Sequence, residues 1–334
     1  MTSKIGQRMM VLRESNYIGL NWFLHSGKPF CSNWRDRAVD KNLLLLGIDG
    51  GGTHCRARLT TFAGQILGEA VTGPANLRLG LGTSFSSVFE AVGQCLDRSK
   101  LPQATLGRTV ACLALAGASE PRHLAAAQGQ KHPFHKTVVT TDAHAACIGA
   151  HGERDGGIIV AGTGTVGWSI VDGQTYRVGG WGLPLSDEGS GAWLGAEALR
   201  RVLWAWDGRI PWTPLLRSLF ANFDNDPHAI VDWSAAASPR DFGSLTQAVV
   251  DHATRGDAVA TELMQLAAAH IDTLAARLVA SGATRLVLVG GFGPSLKPWL
   301  AANTLSHLVE PEGDALDGAL RLARSAAASL ARVA

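Results

Sequence analysis

The chain has 334 residues, 46% of them hydrophobic and 17% charged, enough apolar material for two ordinary domains and too much for a disordered protein. Thirty basic and 28 acidic side chains leave a net charge of +2, which gives no electrostatic reason to expect nucleic acid or an anionic membrane as partner. No apolar run reaches the length of a membrane span, and the five cysteines (Cys31, Cys55, Cys95, Cys112, Cys147) are scattered without a C-x-x-C pair, which argues against a disulfide framework and for a reducing cytoplasm.

Residues 1–41 carry seven basic groups against three acidic ones and show no clear periodicity, so they read as a poorly ordered extension or as the product of a wrongly chosen start codon. The apolar run Leu43–Asp49 then predicts a strand that ends in Gly50-Gly51-Gly52-Thr53. His54–Phe62 alternates in polarity, Ala63-Gly64-Gln65 is a turn, and Ile66–Val71 resumes as a strand, giving an antiparallel meander. A helix is expected from about Thr83 to Arg98, with Phe85, Val88, Phe89 and Val92 on one face. Strand Thr109–Leu115, helix Pro121–Gln128, strand Thr137–Thr140 and a helical Ala143–Gly149 complete the first half.

The order then begins again. Gly157–Ala161 is an apolar strand, Gly162-Thr163-Gly164-Thr165 a turn, and Val166–Val171 and Thr175–Val178 are further strands. Helices dominate from Glu188 to about Ala280. Strand Arg285–Val289, the turn Gly290-Gly291 and a helix over Asp314–Ala327 follow. The two glycine turns lie about 110 residues apart, which suits two similar domains facing each other. The expected division is 42–150 and 151–334, the latter with a helical insertion.

A glycine turn between strands brings backbone N–H groups close to phosphate, because no side chain intervenes. Each of these two turns adds a threonine hydroxyl, and Asp49 stands beside the first. One alone reads as a tight hairpin; two together, one per half, can clamp a triphosphate. Gly162-x-Gly164-x-x-Gly167 spells a dinucleotide fingerprint but continues as strand, not helix, and Asp241-Phe242-Gly243 lacks the other protein-kinase motifs.

Asp142 follows a strand end, where a carboxylate faces the ligand crevice of α/β proteins and can take a proton from an attacking hydroxyl; capping the next helix is the structural alternative. His144 beside it reads as structural. Gly180-Trp181-Gly182 followed by Asp187-Glu188 offers an aromatic face and carboxylates suited to a sugar; here the alternative is a core tryptophan and a helix cap.

Together, G-I-D-G-G-G-T-H-C-R-A-R, A-L-A-G-A, T-D-A-H, A-G-T-G-T, S-D-E-G-S-G-A and P-R-D-F-G, in this order from about Leu43 to Leu322, resemble the N-acetylglucosamine kinase and BadF-type group of the actin–hexokinase–Hsp70 superfamily, most nearly its bacterial glucosamine kinases. The resemblance implies two ribonuclease-H-like (actin-like ATPase) α/β domains around a cleft for ATP and sugar. It implies nucleotide contacts from Gly51, Gly52, Thr53, Gly162, Thr163, Gly164, Gly290 and Gly291, and Mg²⁺ held by Asp49 through water. It places the sugar on Asn76, Gly180, Trp181, Gly182 and Asp187, with Asp142 as general base toward the 6-hydroxyl. Thr165 stands where the group often has Ser, which keeps the hydroxyl. The glycine–tryptophan–glycine run is more like N-acetylglucosamine kinases and the whole chain more like glucosamine kinases, so the acetyl preference is open. An iron–sulfur ATPase activator and a non-catalytic sugar-sensing regulator are the rival readings. No nucleic-acid or membrane partner is expected, and a homodimer is one option for assembly.

Overall fold

The computed structural model describes residues 42–152 and 154–330; the expected extension at 1–41 lies outside the described residues. The first sheet contains β1 (Leu44–Gly50), β2 (Cys55–Thr61), β3 (Ile66–Thr72), β4 (Thr109–Leu115) and β5 (Lys136–Thr140) in the order β3-β2-β1-β4-β5. β1 pairs antiparallel with β2 and parallel with β4. The second contains β6 (Gly156–Ala161), β7 (Thr165–Val171), β8 (Gln174–Gly179) and β9 (Leu286–Val289) in the order β8-β7-β6-β9, with the same pairing senses. The echo in the sequence is therefore a repeated topology, and a parallel bridge from Leu286 to Leu308 marks where a fifth strand of the second sheet would lie.

The helices are α1 (Leu81–Ser99), α2 (Pro121–Gln128), α3 (Asp142–His151), α4 (Gly191–Trp206), α5 (Pro214–Ala221), α6 (Pro227–Ala236), α7 (Pro239–Gly243), α8 (Thr246–Thr254), α9 (Ala258–Ala280), α10 (Gly293–Leu296), α11 (Ala302–His307) and α12 (Ala315–Leu330). β4 is buried along its whole length, as a central strand covered on both faces must be. α1 buries Phe85, Val88, Ala91, Val92 and Cys95 against the first sheet. Phe89, expected on that face, is 39% exposed, with its ring 5.9 Å from that of Phe85. The helical insertion α4–α9 builds its own core on the other side of the second sheet, around Leu194, Leu215, Leu216, Leu219, Leu263 and Met264. Among the described residues no helix is long and apolar enough to cross a membrane.

Sequence order assigns α12 to the C-terminal half, but its alanine face (Ala319, Ala323, Ala326, Ala327) packs on Leu43, Leu45, Val110 and Cys112 of the first sheet. It also lies directly on α3. A Cβ on Gly149 would sit 1.9 Å from the Asp314 carbonyl oxygen, and one on Gly318 would sit 1.8 Å from that of Ala145. Only glycine lets the two helices approach this closely. On its other side α3 packs Ala143, Cys147 and Ala150 against Ile158, Trp168 and Val287 of the second sheet. The helix that begins at Asp142 is thus held between the two halves.

Candidate active site

The site forms where β1, β4, β6 and β9 end at their carboxyl edges and β5 hands over to α3, the position at which open α/β sheets bind ligands. Asp49 is the penultimate residue of β1. The hairpin register sets it opposite Arg56, whose Nε and Nη2 both donate to Asp49 Oδ2, at 3.0 and 2.7 Å. Arg56 Nη1 reaches on to Asp314 Oδ2 at 2.8 Å, just before α12. Asp49 Oδ1 has no hydrogen-bond partner among the described residues. Sequence reasoning passed over Arg56, although the four-residue loop between β1 and β2 already implies its pairing with Asp49.

The first glycine loop is tied down by its own backbone: Gly51 N–H donates to His54 O at 2.9 Å, Ala75 N–H to Gly51 O at 3.0 Å, and Ala116 N–H to Gly50 O at 2.7 Å. The second is pinned to α4, with Gly191 N–H on Gly162 O at 2.8 Å and Ala192 N–H on Thr163 O at 3.2 Å. Gly290 closes the row, packed on Ala161 O, and Phe292 N–H donates to the same oxygen at 3.0 Å. Gly52, Gly162 and Gly291 share a further property. None has a left-handed φ, and an added Cβ would meet one atom at 3.9 Å, one at 4.0 Å and none, respectively. Neither backbone conformation nor internal packing demands glycine at these three points, so each leaves bare backbone beside open space, with room for a group such as a phosphate to approach.

Asp142 is the first residue of α3, and the cap belongs to its neighbour: Thr141 Oγ1 accepts from His144 N–H at 3.0 Å. The N-cap is therefore Thr141, although Asp142 Oδ1 still accepts one first-turn N–H, that of Ala143. Its half-buried carboxyl is pushed up to about 6 by desolvation, with the Asp49 charge reinforcing that rise; the Ala143 N–H, at 2.9 Å from Oδ1, and the charge of Arg177 oppose it. A carboxylate that gives up its proton near neutrality is matched to general-base work. His144 is neutral, held down to about 4 by burial, and stands edge-on to Trp168 at 6.0 Å, as a structural residue would.

Asn76 donates from no side-chain atom to protein among the described residues; its Oδ1 accepts from Arg78 N–H at 3.0 Å, and its Nδ2 faces Gly52. Opposite it, β8 leads into Gly180-Trp181-Gly182. Trp181 is 67% exposed, which excludes the core alternative, and Arg177 lies 4.4 Å over its ring while donating to the carbonyls of Gly179 and Gly180. Asp187 does not cap the following helix either, because Ser190 does so through Trp193 N–H at 3.1 Å. Asp187 Oδ1 instead accepts from Gly182 N–H at 3.1 Å, and a Cβ on Gly164 would lie 2.7 Å from its Oδ2. One carboxylate therefore joins the second glycine loop to the tryptophan loop. Burial raises its pKa, Gly182 N–H and the charge of Arg78 oppose the rise, Glu188 adds to it, and Arg177 opposes it.

No group of three or more His, Cys, Asp or Glu side chains is placed to hold a metal among the described residues. The donor set near the glycine loops, one carboxylate oxygen free on Asp49 with phosphate room beside it, suits a hydrated Mg²⁺ that takes most of its ligands from water and phosphate.

The chain is 40% identical over 278 residues to the glucosamine kinase GspK of Vibrio cholerae, covering 83% of this chain and 95% of that one. It is 27% identical over 237 residues to an N-acetylmuramic acid/N-acetylglucosamine kinase of Clostridium acetobutylicum, covering 67% of this chain and 75% of that one. Its structure superposes on that of a Chromobacterium violaceum protein, provisionally described as an N-acetylglucosamine kinase, with TM-score 0.80 and 33% identity over 84% of this chain and 99% of that one. The model of the BadF/BadG/BcrA/BcrD ATPase family matches residues 46–318, and with the repeated sheets and three glycine loops in place, the chain belongs to that family.

Proposed function

We propose that this chain is an ATP-dependent amino-sugar kinase that transfers the γ-phosphoryl group of ATP to the 6-hydroxyl of glucosamine or N-acetylglucosamine. Asp142 is the observation that carries the reading: a half-buried carboxylate at a strand-to-helix junction whose N-cap is Thr141, raised to about 6. It accepts the hydroxyl proton as that oxygen attacks the γ-phosphorus and the bond to the β-phosphate oxygen breaks, leaving ADP and the sugar phosphate. Gly51, Gly52, Thr53, Gly162, Thr163 and Gly164 offer N–H and hydroxyl donors to the phosphates from two sides, and the turn at Gly290-Gly291, open at Gly291, would take the adenosine. Asp49 would hold Mg²⁺ through Oδ1, and the ion, when bound, neutralises charge on the phosphates. Asn76, Asp187, the Gly180–Gly182 backbone and the exposed face of Trp181 orient the sugar.

The activator reading needs cysteine thiolates for its cluster. Among the described residues the cysteines are buried, and burial pushes the thiols of Cys55, Cys95 and Cys147 up to about 12, 11 and 12, which keeps them protonated. Buried free thiols also suit a reducing cytoplasm. The deciding experiment compares phosphorylation of glucosamine, N-acetylglucosamine, mannosamine and glucose at saturating Mg-ATP, with the phosphorylated carbon located by phosphorus–proton NMR. Transfer to O6 of an amino sugar is expected. ATP hydrolysis without sugar phosphate would refute the reading.

A further inference from the structure

Arg78 belongs to none of the motifs that define the site, yet it lies across its mouth. It stands two residues after Asn76, on the 3₁₀ turn that Asn76 caps, and the bond from its N–H to Asn76 Oδ1 locks the two residues together. The stem passes Gly117, where an added Cβ would sit 3.4 Å from Arg78 Cγ. The guanidinium then reaches the tryptophan loop of the other half, where a Cβ on Gly182 would sit 2.9 Å from Nη1. The side chain thus runs from Gly117 of one half to Gly182 of the other; a Cβ would only touch its stem at Gly117, where the clash falls on Asn76 Oδ1 at 2.8 Å, but would crowd Nη1 at Gly182.

An arginine so placed has work left to do. Its guanidinium makes no hydrogen bond to protein among the described residues, and its charge acts on two carboxylates, Asp187 of the tryptophan loop and Glu120 at the start of α2. Glu120 is already engaged by Arg122, whose Nε and Nη2 donate to its Oε1 at 3.1 and 2.8 Å. A guanidinium carries five N–H donors in a rigid fork. Here they are presented beside Asn76 and Asp187, whose free polar atoms are those expected to meet the sugar.

Resting on the amino-sugar kinase reading, we propose that Arg78 is a further sugar-binding residue, donating to ring hydroxyls held between Asn76 and Asp187 and so joining the two halves through the substrate. The contact needs the room left by Gly182, the bond to Asn76 and an arginine-length stem. No nucleotide loop takes part in it, so the effect of losing it falls on the sugar and not on ATP.

The test measures KM for amino sugar and for ATP, together with Tm, in wild type, Arg78→Gln, Arg78→Lys and Arg122→Gln. Losing a charge-assisted hydrogen bond should raise the sugar KM of Arg78→Gln by roughly 10- to 100-fold, with ATP KM within a few-fold of wild type and Tm unchanged. Arg78→Lys should fall between, since it keeps the charge but not the fork. Arg122→Gln, which removes a neighbouring exposed charge, should leave the sugar KM alone. Sugar affinity without nucleotide, read by calorimetry, should weaken in parallel for Arg78→Gln. A sugar KM within twofold of wild type in Arg78→Gln, or an equal rise in ATP KM, would overturn the inference while leaving the kinase reading intact. Wild-type protein inactive on every amino sugar would overturn both.

Discussion

Replacing Asp142 by Asn should abolish most turnover and at the same time make the protein more stable. The carboxyl titrates near 6 in the folded chain against an ordinary value of 3.8, mainly because folding strips it of water. About two pKa units at 1.36 kcal/mol each, trimmed for the carboxylate's residual contact with solvent, make roughly 2–3 kcal/mol that folding loses when Asp142 is ionised. The sign follows from the direction of the shift. A folded pKa above the unfolded one means the unfolded chain gives up this proton first as pH rises, so the penalty is small below about 4, grows to about 6 and is constant above. Asn keeps the oxygen that accepts Ala143 N–H and carries no charge. Its advantage should therefore be about 2–3 kcal/mol at pH 8, a Tm higher by about 3–5 °C, and roughly a third of that at pH 4.5. Thermal unfolding without ligands at the two pH values measures this, and steady-state kinetics should show a loss of roughly 10²–10⁴-fold in kcat. A variant no more stable than wild type at pH 8, or one whose advantage is independent of pH, would refute the account of Asp142 as a desolvated base. Wild-type kcat/KM should correspondingly fall as pH drops through about 6, when the base takes up its proton.

Three further perturbations separate the parts of the site. Gly52→Ala and Gly291→Ala should each raise the ATP KM severalfold with Tm unchanged, because their added methyl meets almost nothing in the protein; a lowered Tm with normal ATP KM would show that the loops are glycine-rich for folding alone. Asp187→Ala should raise the sugar KM by about 5- to 150-fold, the worth of one or two hydrogen bonds, whereas Ser190→Ala, which removes the actual α4 cap, should cost about 1 kcal/mol in stability; unfolding curves and both KM values on the same samples discriminate the two roles. Gly318→Ala forces a methyl to within 1.8 Å of the Ala145 carbonyl oxygen and should destabilise by about 1–3 kcal/mol or more, with kcat lowered as α3 shifts; a Tm equal to wild type would mean that α12 is not wedged against the helix that carries Asp142.

The local order of this chain could be read residue by residue. Leu43–Asp49 is too apolar for anything but a buried strand, the glycine turns interrupt alternating segments, and each half repeats the same succession, because hydrophobic period and turn chemistry are properties of neighbours in sequence. The likeness of the glycine, T-D-A-H and S-D-E-G motifs to a kinase group likewise needed only their order and spacing. What neighbours could not settle was every choice between a capping and a chemical role. Asp142 and Asp187 each stand where a helix cap is plausible, and only the fold shows that Thr141 and Ser190 take the cap bonds. The fate of α12 was equally out of reach: its alanine face fits either half, and the choice was made by the glycine contact between Gly149 and Gly318, residues 169 positions apart. Arg56, Arg78 and Arg177 look like ordinary surface charges in the sequence. They become part of the site only when hairpin register sets Arg56 on Asp49 and the meeting of the two halves lays Arg78 on Gly182. Propensity and periodicity act over a turn or a strand, while a site assembled from five strand ends and two loops in different halves is decided by tertiary packing alone.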